Sequence, residues 1–142
     1  MKLKSIETFT TQDVGFVRVT ADDGSQGWGQ VSTYYADITV QVLHRQVAPW
    51  TLGKDTTDLD ALLDFVTDRE HKFPGSYLRR ALAGLDTAIW DWRGKDQGKP
   101  VAALLGGSAG PLRAYASSMK RDITPKDEAA RLKHLRDAQG FD

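Results

Sequence analysis

Cysteine is absent from the 142 residues, which rules out disulfides, zinc–thiolate centres and thiol nucleophiles. Histidine is scarce: His44, His71 and His134 lie far apart, with no spacing that puts two on one helical face. Surface or packing roles are therefore expected for all three. Neither sign of charge is in excess. Nineteen basic side chains balance nineteen acidic ones, so no field gathers nucleic acid or an anionic membrane. No apolar run approaches the ~20 residues of a membrane-spanning helix. The opening MKLKSIETFTTQDVG lacks the apolar core of a signal peptide, and a cytoplasmic protein is the expectation. Phosphate-loop spacing is missing too, since neither Gly94-Lys95 nor Gly106-Gly107 fits GxxxxGK[ST].

What is present suits an ordinary soluble domain: 40% hydrophobic and 27% charged residues, in a chain long enough to bury a core. Lys2 to Phe9 leans towards strand, and Phe16 to Thr20 alternates cleanly. Asp23-Gly24 marks a tight turn, after which Gln26 to Val31 returns as a third strand. Gly27 and Gly29 flank Trp28, a pattern that predicts close backbone approach or a bulge. Asp37 should open a helix carrying Val40, Leu43 and Val47 and stopped by Pro49. Asp55 or Thr56 should cap another, with Leu59, Leu62, Leu63 and Val66 on one face. Three strands followed by helices predict an α+β fold, with a three-stranded antiparallel meander and a helical bundle on one face of it.

The chain is organised around Ser76 to Gly107. Leu78, Leu82, Leu85, Ile89 and Trp92 form one helical stripe, and Ala81, Gly84 and Ala88 form a second row of small side chains. Such a row lets another element come close. Ser76 is the expected N-cap, and Gly94, Gly98 and Pro100 the expected end. Asp91 and Lys95 are spaced for a helical ion pair.

Within that stretch, ALAGLDTAIWDWRGKDQGKPVAALLGG (residues 81–107) resembles the motif closing the N-terminal capping domain of the enolase superfamily, mandelate racemase/muconate lactonizing subgroup. The resemblance rests on small residues, an Asp, a Trp-Asp pair, Gly-Lys, Gly-x-Pro and Leu-Leu-Gly-Gly in fixed order. It implies a capping domain over residues 1–111. Residues 112–142 would be the first strand (Arg113 to Ser118) and first helix (from Thr124-Pro125 towards Gly140) of a (β/α) barrel that is otherwise absent. A parallel strand needs its neighbour, so the chain is expected to be part of a longer enzyme.

The same resemblance implies a Mg2+ held by barrel carboxylates, and abstraction of the proton α to a carboxylate. The catalytic base and metal ligands would lie outside this chain, which by itself is expected to be inactive. Its own share would be a lid of two loops that close over the barrel mouth. The first, Thr10 to Val14, is short and polar and offers Gln12 and Asp13 to substrate. The second, Val31 to Tyr35, brings Tyr34 to a pocket-lining position; a packed aromatic at a helix start is the other reading of that residue. Ser117, Ser118 and Lys120 would end the first barrel strand facing the substrate, against simple strand-end polarity, and Phe73 is a weaker pocket candidate. Gln30 departs from the Glu common after Gly-x-Gly in the subgroup. The polar first loop favours a small hydrophilic carboxylate such as a sugar acid, hence a dehydratase or racemase. A homo-oligomer is expected, with no nucleic-acid or membrane partner. Two rival readings use the same residues. One is a non-catalytic α+β interaction domain with Trp28, Tyr34 and Tyr35 as its patch. The other is a complete small hydrolase, for which no nucleophile, base and orienter can be assembled.

Overall fold

The computed structural model describes residues 1–117 and 121–141, in two compact units that divide after Gly107. In the first unit, β1 (Leu3–Thr10), β2 (Gly15–Ala21) and β3 (Gln26–Gln30) form an antiparallel sheet in that order. Phe9 pairs with Phe16, Glu7 with Arg18, and Arg18 with Trp28. Alternation sends Leu3, Ile6, Val17 and Val19 inward, where they are buried. The Asp23-Gly24 turn closes as expected: Asp23 Oδ1 accepts from the Ser25 N–H and hydroxyl, and Gly24 takes φ +88°.

The helices are α1 (Ala36–Val42), α2 (Ala48–Thr51), α3 (Leu59–Arg69), α4 (Ser76–Asp96) and α5 (Val101–Leu104). Pro49 does not stop the first of these. A π-helical turn, Leu43–Val47, joins α1 to α2, and Pro49 sits in the first turn of α2, where its missing N–H has no helical partner to lose. Nor do Asp55 or Thr56 cap α3. Asp58 does, accepting from the Ala61 N–H at 3.0 Å, while Asp55 holds Thr57 and the N-terminal ammonium. Ser76 is the first residue of α4, preceded by Gly75 with no side-chain cap. Gly94 lies inside α4 and is needed there for closeness: the Lys99 N–H returns to its carbonyl at 2.9 Å, and a Cβ would stand 3.0 Å from the Lys99 oxygen.

The core forms where α4 crosses the inner face of the sheet. Leu78, Leu82, Leu85 and Ile89 are buried, and so are Ala81, Gly84 and Ala88. A Cβ on Gly84 would stand 2.5 Å from Val31 Cγ1 and 3.1 Å from Val17 Cγ2. Facing it, a Cβ on Gly27 would collide with the Ala88 carbonyl oxygen and one on Gly29 with that of Gly84. Backbone meets backbone at this contact.

In the second unit, Thr124 caps α6 (Pro125–Gln139) by accepting from the Asp127 N–H, and Gly140 ends it in the left-handed region. The strand expected over Arg113 to Ser118 is not formed at residues 113–117; Ser118 lies outside the described residues. The physical reason is the one that makes a lone parallel strand unfavourable: its N–H and C=O groups have no ladder to join. Tyr115 is 82% exposed. With Phe141, Ala129 and Leu132 it lines an open, mostly apolar cleft along α6.

Replacing Gly27 by Ala should cost about 3 kcal/mol or more, because neither backbone can move aside cheaply. Gly110→Ala, where a Cβ meets nothing within 4 Å, should stay within about 0.5 kcal/mol. Urea unfolding of the two variants against the parent checks both.

Candidate functional site

Two loops and a helix start meet at one end of the sheet. The first loop, residues 11–14, is closed by its own hydrogen bonds. The Thr11 N–H donates to the Val14 carbonyl at 2.7 Å, and the Val14 N–H donates to Thr11 Oγ1 at 3.2 Å. Thr10 Oγ1 also donates to the Val14 carbonyl, at 2.9 Å. The turn is therefore tight, and it leaves Gln12 and Asp13 exposed. The second loop leaves β3 where the Val31 N–H donates to the Gly15 carbonyl at 2.9 Å. It then exposes Tyr34 (68%) and Tyr35 (54%) before α1 begins.

The loops are joined to each other. The Ala36 N–H donates to the Gln12 carbonyl at 2.8 Å, so the start of α1 holds the tip of the first loop. Tyr35 is the only described non-glycine residue at positive φ (+54°), a conformation that costs roughly 1 kcal/mol for a side chain of this kind. Its carbonyl accepts from both the N–H and the hydroxyl of Thr39, at 3.1 Å each. Arg80, in the first turns of α4, donates from Nη1 to the Tyr34 carbonyl at 3.2 Å. Phe73 is exposed in the loop that leads into α4. Of the candidates, then, Gln12, Asp13 and Tyr34 sit on two hydrogen-bonded loops. Ser117 is exposed in the second unit, and Ser118 and Lys120 lie outside the described residues. Arg80 and the strain at Tyr35 were not foreseen, and no local spacing announces either: the Arg80 contact spans 46 residues of sequence.

The remaining sequence candidates have structural partners. Asp91 accepts from Lys95 Nζ at 2.5 Å and from the Trp28 N–H at 2.7 Å. Trp92 Nε1 donates to Ser25 Oγ at 2.6 Å, and Arg93 donates to the carbonyls of Thr56 and Thr57 while lying over the Trp90 ring. Trp28 stacks on Phe9 with centroids 5.4 Å apart, and the Arg18 guanidinium reaches both rings and Glu7. His44 bonds Thr8, and His71 donates from Nδ1 to the Asp68 carbonyl. Among the described residues no group of three or more His, Asp or Glu could hold a metal ion, so a divalent cation does not fit the residues present. Nor, among the described residues, is any helix long and apolar enough to cross a membrane. The loop end offers hydrogen-bonding groups and aromatic edges. Its one described carboxylate on the first loop, Asp13, is exposed.

Residues 2–106 match the N-terminal domain of the mandelate racemase / muconate lactonizing enzyme family. The chain belongs to that family. It is 33% identical over 128 residues to a D-galactonate dehydratase of Ralstonia pickettii (strain 12J), covering 89% of this chain and 33% of that protein. Among solved structures, a candidate racemase from Roseobacter denitrificans superposes with a TM-score of 0.96 at 79% identity, covering 99% of this chain and 38% of that one. A mandelate racemase/muconate lactonizing protein from Paracoccus denitrificans PD1222, complexed with magnesium, gives 0.68 at 36% identity over 75% of this chain and 30% of that one. The chain spans about a third of the length of the curated relatives it matches.

Two carboxylates should move stability with pH in opposite senses. The Arg18 hydrogen bond, aided by its charge, holds Glu7 below the usual carboxylate range. Its contribution is thus complete above about pH 4.5 and is lost as pH falls through the depressed value. Burial, followed by the nearby Asp60 charge, pushes Asp86 up against the opposing pull of Trp90 and Arg93. Ionised Asp86 therefore destabilises the fold at neutral pH, and that penalty fades as pH falls towards 3.8. Urea midpoints between pH 3 and 7 should show Glu7→Gln least stable relative to the parent at pH 7, with the deficit shrinking in acid. Asp86→Asn should be more stable than the parent at pH 7, with its advantage shrinking in acid.

Proposed function

We propose that this chain is the lid-bearing capping portion of a Mg2+-dependent sugar-acid dehydratase or racemase. The single observation that carries the reading is the joined pair of loops: a short polar turn bearing Gln12 and Asp13, bonded through Ala36 to a loop that exposes Tyr34. Polar groups on a tight turn suit the hydroxyls of a polyol acid, and the aromatic edge of Tyr34 adds an apolar wall with a hydroxyl handle. The R. pickettii relative acts on D-galactonate by its name, and the Paracoccus protein carries magnesium, which supports the substrate class and the metal.

In this reading residues 112–142 begin the barrel. The open apolar cleft along α6 supports it, because a barrel helix has one face waiting for a sheet. Ser117, Ser118 and Lys120 would then reach the substrate from the end of the first strand, once its neighbour gives that strand a ladder. Residues beyond this chain would hold Mg2+ and supply the base. Bound there, Mg2+ would supply charge stabilisation at the substrate carboxylate while the α-proton is removed. Loss of the β-hydroxyl, protonated to leave as water, would then give an enol that takes a proton at C3 to become the 2-keto-3-deoxy acid, whereas a proton returned to the opposite face of the α-carbon would give the epimer. The reading also carries a cytoplasmic, homo-oligomeric enzyme.

The protein with its complete barrel should dehydrate or epimerise at least one of a panel of aldonates that includes D-galactonate. That activity should vanish in EDTA and return with Mg2+. Tyr34→Phe should raise KM three- to ten-fold with kcat changed less, the pattern of a lost binding contact. No turnover of any acid in the panel with Mg2+ present sinks the reading.

A further inference from the structure

The two loops are tied by side chains to the elements that flank them, Thr10 Oγ1 of β1 to the Val14 carbonyl and Thr39 Oγ1 of α1 to the Tyr35 carbonyl, and by one arginine to α4. Their mutual bond, Gln12 carbonyl to Ala36 N–H, is backbone to backbone, and the Tyr35 carbonyl is taken up locally by Thr39. Among the described residues Arg80 is the α4 side chain that hydrogen-bonds the second loop, by donating to the Tyr34 carbonyl, while buried Val31 packs the start of that loop on α4 at Gly84. Its guanidinium also lies 5.7 Å from the centroid of the Tyr77 ring, one helical step away, so the side chain is braced before it reaches the loop. The helix below is anchored by the buried Leu78, Ala81 and Leu82. Tyr35, next in the chain, is held at positive φ, and a strained residue persists only where its surroundings over-determine it.

We infer that Arg80 is a positioning residue: by holding the Tyr34 carbonyl it fixes the second loop, and through Ala36 and Gln12 the first, as one body on α4. This inference rests on the lid reading for its consequence in turnover, but the tie itself is independent of any substrate. The chain of contacts is Arg80 to Tyr34, along the backbone through Tyr35 to Ala36, and from Ala36 to Gln12. A guanidinium suits the task because its planar fork loses little freedom in bonding a carbonyl while its face lies over a ring. Arg80 touches no substrate in this scheme. It sets where Tyr34, Gln12 and Asp13 stand.

Amide hydrogen exchange of the chain tests the tie directly. Arg80→Met keeps the stem and removes the donors, and Arg80→Lys keeps one charged donor. The Met variant should exchange the Ala36 and Thr39 amides about three- to ten-fold faster, with the α4 amides and the thermal midpoint unchanged, and the Lys variant should recover part of the protection. Exchange at Ala36 that is unchanged in Arg80→Met overturns the inference, whatever the substrate proves to be. In the protein with its complete barrel, Arg80→Met should raise KM for the aldonate turned over several-fold, leave kcat within about two-fold, and be partly rescued by Lys. Faster exchange with an unmoved KM would retain the tie and overturn its bearing on turnover. In that case the lid reading, and not the geometry around Arg80, would be at fault.

Discussion

The contact on which the rest depends is the backbone-to-backbone approach of β3 to α4. Gly27 and Gly29 on the strand and Gly84 and Ala88 on the helix leave no room for larger side chains, so the helix axis is held close against an edge strand. An edge strand exposes unpaired N–H groups that invite association. Here α4 lies close against β3, and Asp91 takes up the Trp28 N–H. The carboxylate can hold this bond because Lys95, one turn on, shares its charge. With Trp92 on Ser25 and Arg93 on the Thr56 and Thr57 carbonyls, consecutive side chains of one helical turn secure three separate segments. The Trp-Asp-Trp-Arg run is a structural clamp.

That clamp explains which parts of the fold could be read from the chain. The meander, the buried stripe of α4 and the row of small residues follow from local periodicity, and each is where the periodicity put it. The departures arise where a tertiary or alternative local contact beats the local signal. Asp55 has capping chemistry, but it spends it on Thr57 and the N-terminus, which leaves Asp58 to cap α3. Pro49 is a breaker only if the helix must continue in register, and the π turn ahead of it removes that demand. The strand expected over Arg113 to Ser118 has β-favouring residues without a neighbour. Propensity cannot supply a ladder, and residues 113–117 remain irregular.

The site was legible to a different depth. Strand boundaries place Gln12, Asp13 and Tyr34 on loops, as the structure has them, whereas their expected role towards substrate came from the family resemblance alone. What could not be named is how the loops are held. The bond from Ala36 to Gln12 uses backbone atoms that every residue possesses, and Arg80 on a helix surface looks like any solvated charge. Long-range ties of this kind leave no periodic trace.

The division of α4 into two ends then has a mechanical sense. Its C-terminal turns are bound by several side-chain contacts to the turn between β2 and β3 and to residues 56–57, whereas its first turns reach the second loop through a single arginine. Local opening free energy follows the density of such contacts. The clamped end is therefore the better protected of the two, and the loop end, held mainly by backbone bonds and Arg80, is the easier to open. The strain at Tyr35 acts in the same direction, because a residue held at positive φ gains conformational freedom whenever its neighbours release it. A lid needs both properties: a rigid lever to which it returns and a joint that is weak enough to open. In the reading proposed above, α4 would be the lever, and the strained residue beside the Arg80 contact would be the joint.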